Sequence, residues 1–178
     1  MAGWAGAAGT AILASGMQDE LLSRYPAALL EEAAQMGNPE GILEAARARN
    51  HFGVSAMHDV SQGGVFAALW EMAERAGAGL EVDLKKIPIR QETIEICEYF
   101  DLNPYQLFGQ GALLIAAKRG AELTEKLGRL SVEAAVIGRF TKERRRIIRN
   151  GEEIRYLDRP AQDELWRLAE EREAAGRI

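Results

Sequence analysis

The stretch MHDVSQGGVFAALWEMAERAG, Met57 to Gly77, decides how the rest of the chain is read. Its second half carries Val65, Phe66, Leu69, Trp70, Met72 and Ala73 along one side, with Glu71, Glu74 and Arg75 along the other. That spacing is the apolar stripe of an amphipathic helix over 63–76, closed by Gly77 and Gly79. Ahead of it, FGVSAMH (52–58) is a short apolar run with the look of a buried strand. Between the two, Gly63 and Gly64 lack Cβ atoms, so the backbone can turn sharply and approach a ligand. Ser61 stands where an N-cap belongs, and the amides of a first helical turn, at the positive end of the helix dipole, make a ready site for phosphate or carboxylate. Asp59 at the strand end could orient a polar group or a metal-bound water, and His58 precedes it. A serine cap followed by two glycines is also ordinary turn punctuation, and a lone His58 is ordinarily a satisfied, partly buried residue. The local pattern leaves both readings open.

Downstream the same alternation of elements continues. LEVDL (80–84) alternates as a half-buried strand does, and IPIRQETIEICEYFDL starts extended because Pro88 disfavours helix at Ile87. It then becomes a helix carrying Ile94, Cys97 and Tyr99, with Cys97 on the apolar side as a core residue. Asn103-Pro104 reads as a helix start. ALLIAA (112–117) is a continuous apolar run, the mark of a strand covered on both faces. GAELTEKLGRL is a short helix and VEAAVIGRF (132–140) a further strand. Asn150-Gly151 within RRIIRNGEEIRYL signals a hairpin over 141–157. RPAQDELWRLAEEREAAG gives a terminal helix over 159–175 that docks through Leu165, Trp166 and Leu168. KERRR (142–146) reads as a solvated, anti-aggregation edge rather than a nucleotide clamp.

Upstream, the first fifty residues read as Ala-rich helices. One carries Ile12, Leu13, Met17, Leu21 and Leu22, a second starts at Pro26 and ends at Gly37, and a third is opened by Asn38-Pro39. The pattern predicts one domain over 1–178 with a core at about 9–140, in an α/β or α+β class with a mixed sheet. The chain is 178 residues long, 47% hydrophobic and 28% charged, the balance of a soluble globular protein. Its net charge of −5 speaks against a nucleic-acid partner, and no apolar run reaches the length of a membrane span. A single cysteine fits a reducing, cytoplasmic setting. The abrupt glycine-rich start carries no signal peptide and reads as a chain opened inside something larger. His51, His58 and one distant cysteine do not form a metal site of recognisable spacing.

A second candidate loop, NPYQLFGQG, places Gly109, Gln110 and Gly111 just before the apolar strand. The glycines permit close backbone approach and Gln110 both donates and accepts hydrogen bonds; a plain tight turn is the competing reading.

These motifs, in this order, resemble the C-terminal domain of the aminoimidazole ribonucleotide (AIR) synthetase superfamily, over about residues 9–140. Within the superfamily the pattern is most similar to that of HypE-like AIR synthase-related proteins. The resemblance implies an α/β sandwich with a ferredoxin-like mixed sheet and helices packed on one face. It implies ATP- and Mg²⁺-dependent phosphoryl transfer or phosphate activation, in a cleft shared with an N-terminal ATP-binding domain that this chain lacks, and association into a homodimer. A phosphate-containing small molecule is the implied ligand. By position, His58, Asp59, Ser61, Gln62, Gly63 and Gly64 fall in the first binding loop, and Gly109, Gln110 and Gly111 in the second. Gln110 replaces a glutamate common in such proteins, and the tail, AAGRI, lacks the terminal cysteine that carries the carbamoyl group in HypE. The expectation is therefore a domain of an ATP-dependent enzyme, inactive as this chain alone. The alternatives are a non-catalytic binding or assembly module on the same scaffold, and a small-molecule regulatory domain.

Overall fold

The computed structural model describes residues 1–37 and 40–176. In chain order its helices are α1 (Ala7–Gly16), α2 (Gln18–Leu21), α3 (Ala27–Ala34), α4 (Glu40–Arg47), α5 (Gly64–Ala76), α6 (Gln91–Tyr99), α7 (Gly120–Gly128) and α8 (Glu164–Ala174). Its strands are β1 (Val54–Val60), β2 (Gly79–Asp83), β3 (Ala112–Ala117), β4 (Gly138–Thr141), β5 (Arg146–Asn150) and β6 (Glu153–Tyr156). This is the mixed α/β class that the sequence predicts. The Asn38-Pro39 helix start lies outside the described residues.

The strands are divided between two sheets. β1 and β3 form an antiparallel pair, and a mixed sheet runs in the order β4-β2-β5-β6, with β2 and β5 parallel and the other pairs antiparallel. Ala2 bridges Leu113 of β3 on one side and Ala134 on the other.

Three apolar clusters hold these elements together. α5 lays Val65, Ala68, Leu69, Met72 and Ala73 against Leu80 and Val82 of β2 and Ile148 of β5. That is the stripe read from the sequence. A second cluster joins Leu13 of α1, Leu30 of α3, Ile96 and Cys97 of α6 and Leu168 of α8 around Leu107. A third sets Ala45 and Ala48 and the α7 residues Leu123 and Leu127 against Leu113. Each fully buried leucine or isoleucine contributes roughly 1.5–3 kcal/mol from the apolar surface it removes from water. No helix among the described residues is long and apolar enough to cross a membrane.

Several local expectations are corrected. The strand expected over 132–140 is regular only from Gly138; ahead of it, residues 133–135 bond with residues 1–3 around the Ala2–Ala134 bridge, and the Ile137 carbonyl accepts from the Asp83 amide at 2.9 Å. Asn103-Pro104 opens a turn, in which the Asn103 side-chain oxygen accepts from the Tyr105 amide at 3.1 Å, rather than a helix. Leu168 and Leu165 dock α8, whereas Trp166 is 50% exposed. The basic run is not an edge strand: Arg146 begins the interior strand β5, lies 4.7 Å over the Trp70 ring and pairs with Glu74.

Candidate functional site

The antiparallel register of β1 and β3, with Asp59 opposite Leu113 and Val60 opposite Ala112, makes the two predicted loops leave the same end of one ladder. They touch through backbone. The Ser61 carbonyl accepts from the Gly64 amide and from the Gly109 amide, both at 3.1 Å. Phe66 donates its amide to the Tyr105 carbonyl at 3.1 Å, and the two rings stack with centroids 5.3 Å apart. Gly64 adopts φ +62°, and a Cβ there would lie 2.6 Å from Tyr105 O and 2.7 Å from Leu107 O. A Cβ on Gly109 would lie 2.6 Å from Val60 Cγ1. These two glycines are there because one loop lies directly on the other.

The donors at this junction face a carboxylate from a distant part of the chain. Asp163 Oδ2 accepts from the Gly63 amide at 2.6 Å, and its Oδ1 accepts from the Phe108 amide at 3.2 Å and the Leu165 amide at 2.9 Å. Asp163 is 4% exposed. One buried carboxylate thus caps α8 and holds both loops. The N-cap expected from Ser61 is not formed: Gly63, at φ +73°, precedes α5 without a side-chain cap, and Ser61 contributes its carbonyl instead. Asp163 was missing from the sequence candidates. Its signal was an aspartate immediately ahead of the apolar-periodic ELWRL, the pattern of an N-cap.

The remaining candidates lie around this junction. His58 Nε2 is 2.8 Å from Glu71 Oε2 of α5, and its Nδ1 is 2.6 Å from the Asp59 carbonyl, so both ring nitrogens face acceptors. The pair ties β1 to α5. Asp59, Gln62 and Gln110 are exposed. A cavity of about 320 Å³ opens beside Gly63, lined among others by Phe66, Tyr105, Gln106, Arg155 and Asp158. Of the predicted site residues only Gly63 lines it; His58, Asp59, Ser61, Gln62, Gly64, Gly109, Gln110 and Gly111 do not. Burial pushes the Tyr105 phenol above its ordinary pKa. Arg155 pairs with Glu153 at 2.8 Å. Among the described residues no group of three histidine, cysteine, aspartate or glutamate side chains is placed to hold a metal ion.

Comparison with known proteins gives the family. Residues 3–149 match the family described as AIR synthase related protein, C-terminal domain. A putative hydrogenase expression/formation protein of Methanocaldococcus jannaschii is 35% identical over 99 residues, covering 53% of this chain and 30% of that protein. The subunit PurL of phosphoribosylformylglycinamidine synthase from Thermosynechococcus vestitus is 32% identical over 143 residues, covering 78% of this chain and 18% of its own length. Among solved structures, Escherichia coli HypE, a hydrogenase maturation protein, superposes with a TM-score of 0.67 at 24% identity, over 93% of this chain and 50% of HypE. HypE in complex with ATP gives a TM-score of 0.64 at 18% identity, over 92% and 50%. These last two likenesses concern the fold. The chain thus spans about half of the solved relatives and less than a third of these two curated ones. Its matched span of 147 residues, together with the fold, makes it a member of the AIR synthase related protein family, represented here by the C-terminal domain.

Proposed function

We propose that this chain is the C-terminal domain of an ATP-dependent enzyme of phosphoryl transfer or phosphate activation. In this reading it forms one wall of a cleft completed by a separate ATP-binding domain. The observation that carries it is the contact between two loops far apart in sequence, closed by the Gly109 amide on the Ser61 carbonyl at 3.1 Å, with Asp59, Gln62 and Gln110 exposed around it. Such a junction offers polar side chains and close backbone approach on a rigid ladder end, which is what a phosphate-bearing substrate requires. HypE, similar in fold, has been solved with ATP, and thiamine-monophosphate kinase of Stenotrophomonas maltophilia superposes with a TM-score of 0.63. The proposed binding residues are His58, Asp59, Ser61, Gln62, Gly63 and Gly64 of the first loop and Gly109, Gln110 and Gly111 of the second.

ATP and Mg²⁺ are the ligands this reading requires. The residues present fit the nucleotide in part: the junction supplies amides, amide side chains and the cavity beside Gly63, while the Gly63 donor is already held by Asp163. A single exposed carboxylate, Asp59, does not by itself make a magnesium site, so the remaining ligands are assigned to the other domain and the phosphates. Titration of the isotopically labelled chain with Mg-ATP, followed by amide NMR, tests this. Shifts confined to 58–64 and 109–111, with no nucleotide hydrolysis, are the expected result. Shifts elsewhere only, or steady turnover by this chain alone, overturn it.

One observation favours a second reading, a binding or assembly module that keeps the scaffold without the chemistry: the cradle's own donor is occupied by Asp163. HypE has been solved in a complex with HypF, and a TM-score of 0.66 relates its fold to this one. Absence of any Mg-ATP response in both the native chain and the Asp163→Asn variant favours that module.

A further inference from the structure

The edge of a sheet offers unpaired backbone groups to a further strand, and natural edges ordinarily blunt that offer with charge. β6 ends the mixed sheet: no strand lies beyond it among the described residues, and all four of its residues are exposed. The Leu157 amide donates to the Arg146 carbonyl at 2.9 Å, and Arg155 and Glu153 stand opposite Ile148 and Asn150 of β5. By the alternation of an extended strand, Leu157, Arg155 and Glu153 turn their backbone groups towards β5. Those of Ile154 and Tyr156 face outward.

The side chains alternate as well. Ile148 packs on α5, and its ladder partner Arg155 shares that face with Glu153, to which it pairs at 2.8 Å. Ile154 and Tyr156 stand on the other face, 53% and 64% exposed, with the buried Ile147 opposite Tyr156. Two large apolar side chains thus border the open edge on one face, and one charge of each sign on the other.

We propose that this edge pairs with the same edge of a second copy, antiparallel about a two-fold axis through Ile154. Backbone and charge together select that register. In an antiparallel ladder two directly opposed residues either both bond or both do not, so Ile154 cannot stand opposite Arg155. Centred on Glu153 or on Arg155, the seam sets a charge against its own copy, which repels. Centred on Ile154, it sets Glu153 against Arg155 of the second copy, twice over, and lets the two Ile154 residues exchange backbone hydrogen bonds. Each Tyr156 then lies diagonal to Ile154 of the other copy, so four apolar side chains meet over one face of the seam. The charges that blunt the edge against other strands are complementary in this register alone among those centred on 153–155. Two four-stranded sheets become one of eight, with both copies of α5 on the same side. This goes beyond the nucleotide reading and holds whether or not the glycine-loop junction binds ATP.

Sedimentation equilibrium of the full chain tests it. So short a seam is a small interface of the transient kind, so a Kd of about 0.1 mM is expected, with the mean mass rising towards that of a dimer at about 0.5 mM. Glu153→Lys makes the edge wholly basic and Arg155→Glu makes it wholly acidic, and each variant alone is expected to stay monomeric. Both variants break the pair within one chain, so only a contact across the seam restores association when the two are mixed. The equimolar mixture is expected to associate as well as the native chain. Ile154→Pro removes an outward donor while sparing the bonds to β5, and is expected to fold and stay monomeric. Should that variant unfold, amide exchange of the native chain decides: between about 0.02 and 0.5 mM the Ile154 and Tyr156 amides slow by about threefold, while that of Arg155 does not change. A native chain that remains monomeric at the upper concentration overturns the proposal. So do self-association that survives in either charge variant or in a folded Ile154→Pro chain, a mixture no more associated than its components, and exchange at Ile154 that ignores concentration.

Discussion

The Asp163 carboxylate accepts a hydrogen bond from the Gly63 amide at 2.6 Å across a hundred residues of sequence, and with its other oxygen it reaches Phe108 and Leu165. Replacement by alanine removes an N-cap and leaves the Gly63 and Phe108 amides buried without an acceptor. The expected loss is about 2–4 kcal/mol, measured as a lower urea midpoint. Asp163→Asn keeps the shape and one acceptor oxygen, so it falls between. An alanine variant as stable as the native chain would show that water replaces the carboxylate at no cost.

Gly64→Ala and Gly16→Ala are expected to differ in sign. At Gly64 a Cβ meets the Tyr105 and Leu107 carbonyls at 2.6 and 2.7 Å with φ at +62°, so the two loops must part. The cost is about 3 kcal/mol or more, from strain and lost packing together. At Gly16, the last residue of α1, nothing lies within 4 Å of the added atom, and the variant gains roughly 0.5–1 kcal/mol from the reduced freedom of the unfolded chain. Thermal melts of both variants read the contrast directly.

Burial pushes the Cys97 thiol up to about 12, with the Glu164 charge adding to the effect. Native protein at pH 8 is therefore expected to resist a thiol-specific reagent, and urea-unfolded protein to react promptly. The folded state holds this proton more tightly than the unfolded state does. Stability is then unaffected below the unfolded thiol's ordinary range and declines as pH rises from about 9 towards 12. Cys97→Ser removes that part of the alkaline decline, and an unchanged profile would refute the assignment.

Arg146 lies over Trp70 at 4.7 Å and pairs with Glu74, its side chain only 20% exposed. Arg146→Ala should cost about 1–2 kcal/mol, and Arg146→Lys should recover only part of it, because the planar guanidinium both stacks and pairs. Complete recovery by lysine would show that charge alone matters there.

Asp59→Asn and Gln62→Ala alter exposed side chains and are expected to shift stability by less than about 0.5 kcal/mol. Under the enzyme reading they weaken the NMR response to Mg-ATP; under the module reading the spectra of native and variant chains respond alike.

Local signals carried much of this architecture. The α5 stripe, the apolar run of β3 and the burial of Cys97 followed from periodicity within a dozen residues. The β5–β6 hairpin was also legible, with the turn at Gly151 and Glu152 one residue beyond the Asn-Gly pair that announced it. Both glycine loops were legible as special backbone. What could not be seen was long-range competition. Ser61 has the chemistry of a cap, yet its carbonyl is claimed by Gly64 and Gly109 while an aspartate from α8 takes the Gly63 amide. Arg146 belongs to a basic run, but the strand register draws it inward onto Trp70. Residues 132–137 have strand-like composition, but their extended neighbour is the short segment 1–3, too brief to make a regular ladder, and only the Ile137 carbonyl reaches β2, at the Asp83 amide. Trp166 shows the limit of helical periodicity, since α8 is only partly covered and its widest ring remains in water.

The contact between Gly63 and Asp163 also orders events during synthesis. At about 5–20 residues per second, a ribosome delivers Asp163 roughly 5–20 s after Gly63. Through that interval both loops emerge without the carboxylate that later clasps them, and their amides are open to solvent or to a chaperone. Maturation of this corner is therefore timed by the emergence of α8 from the exit tunnel, and a ribosome stalled before residue 163 would present the loops unclasped.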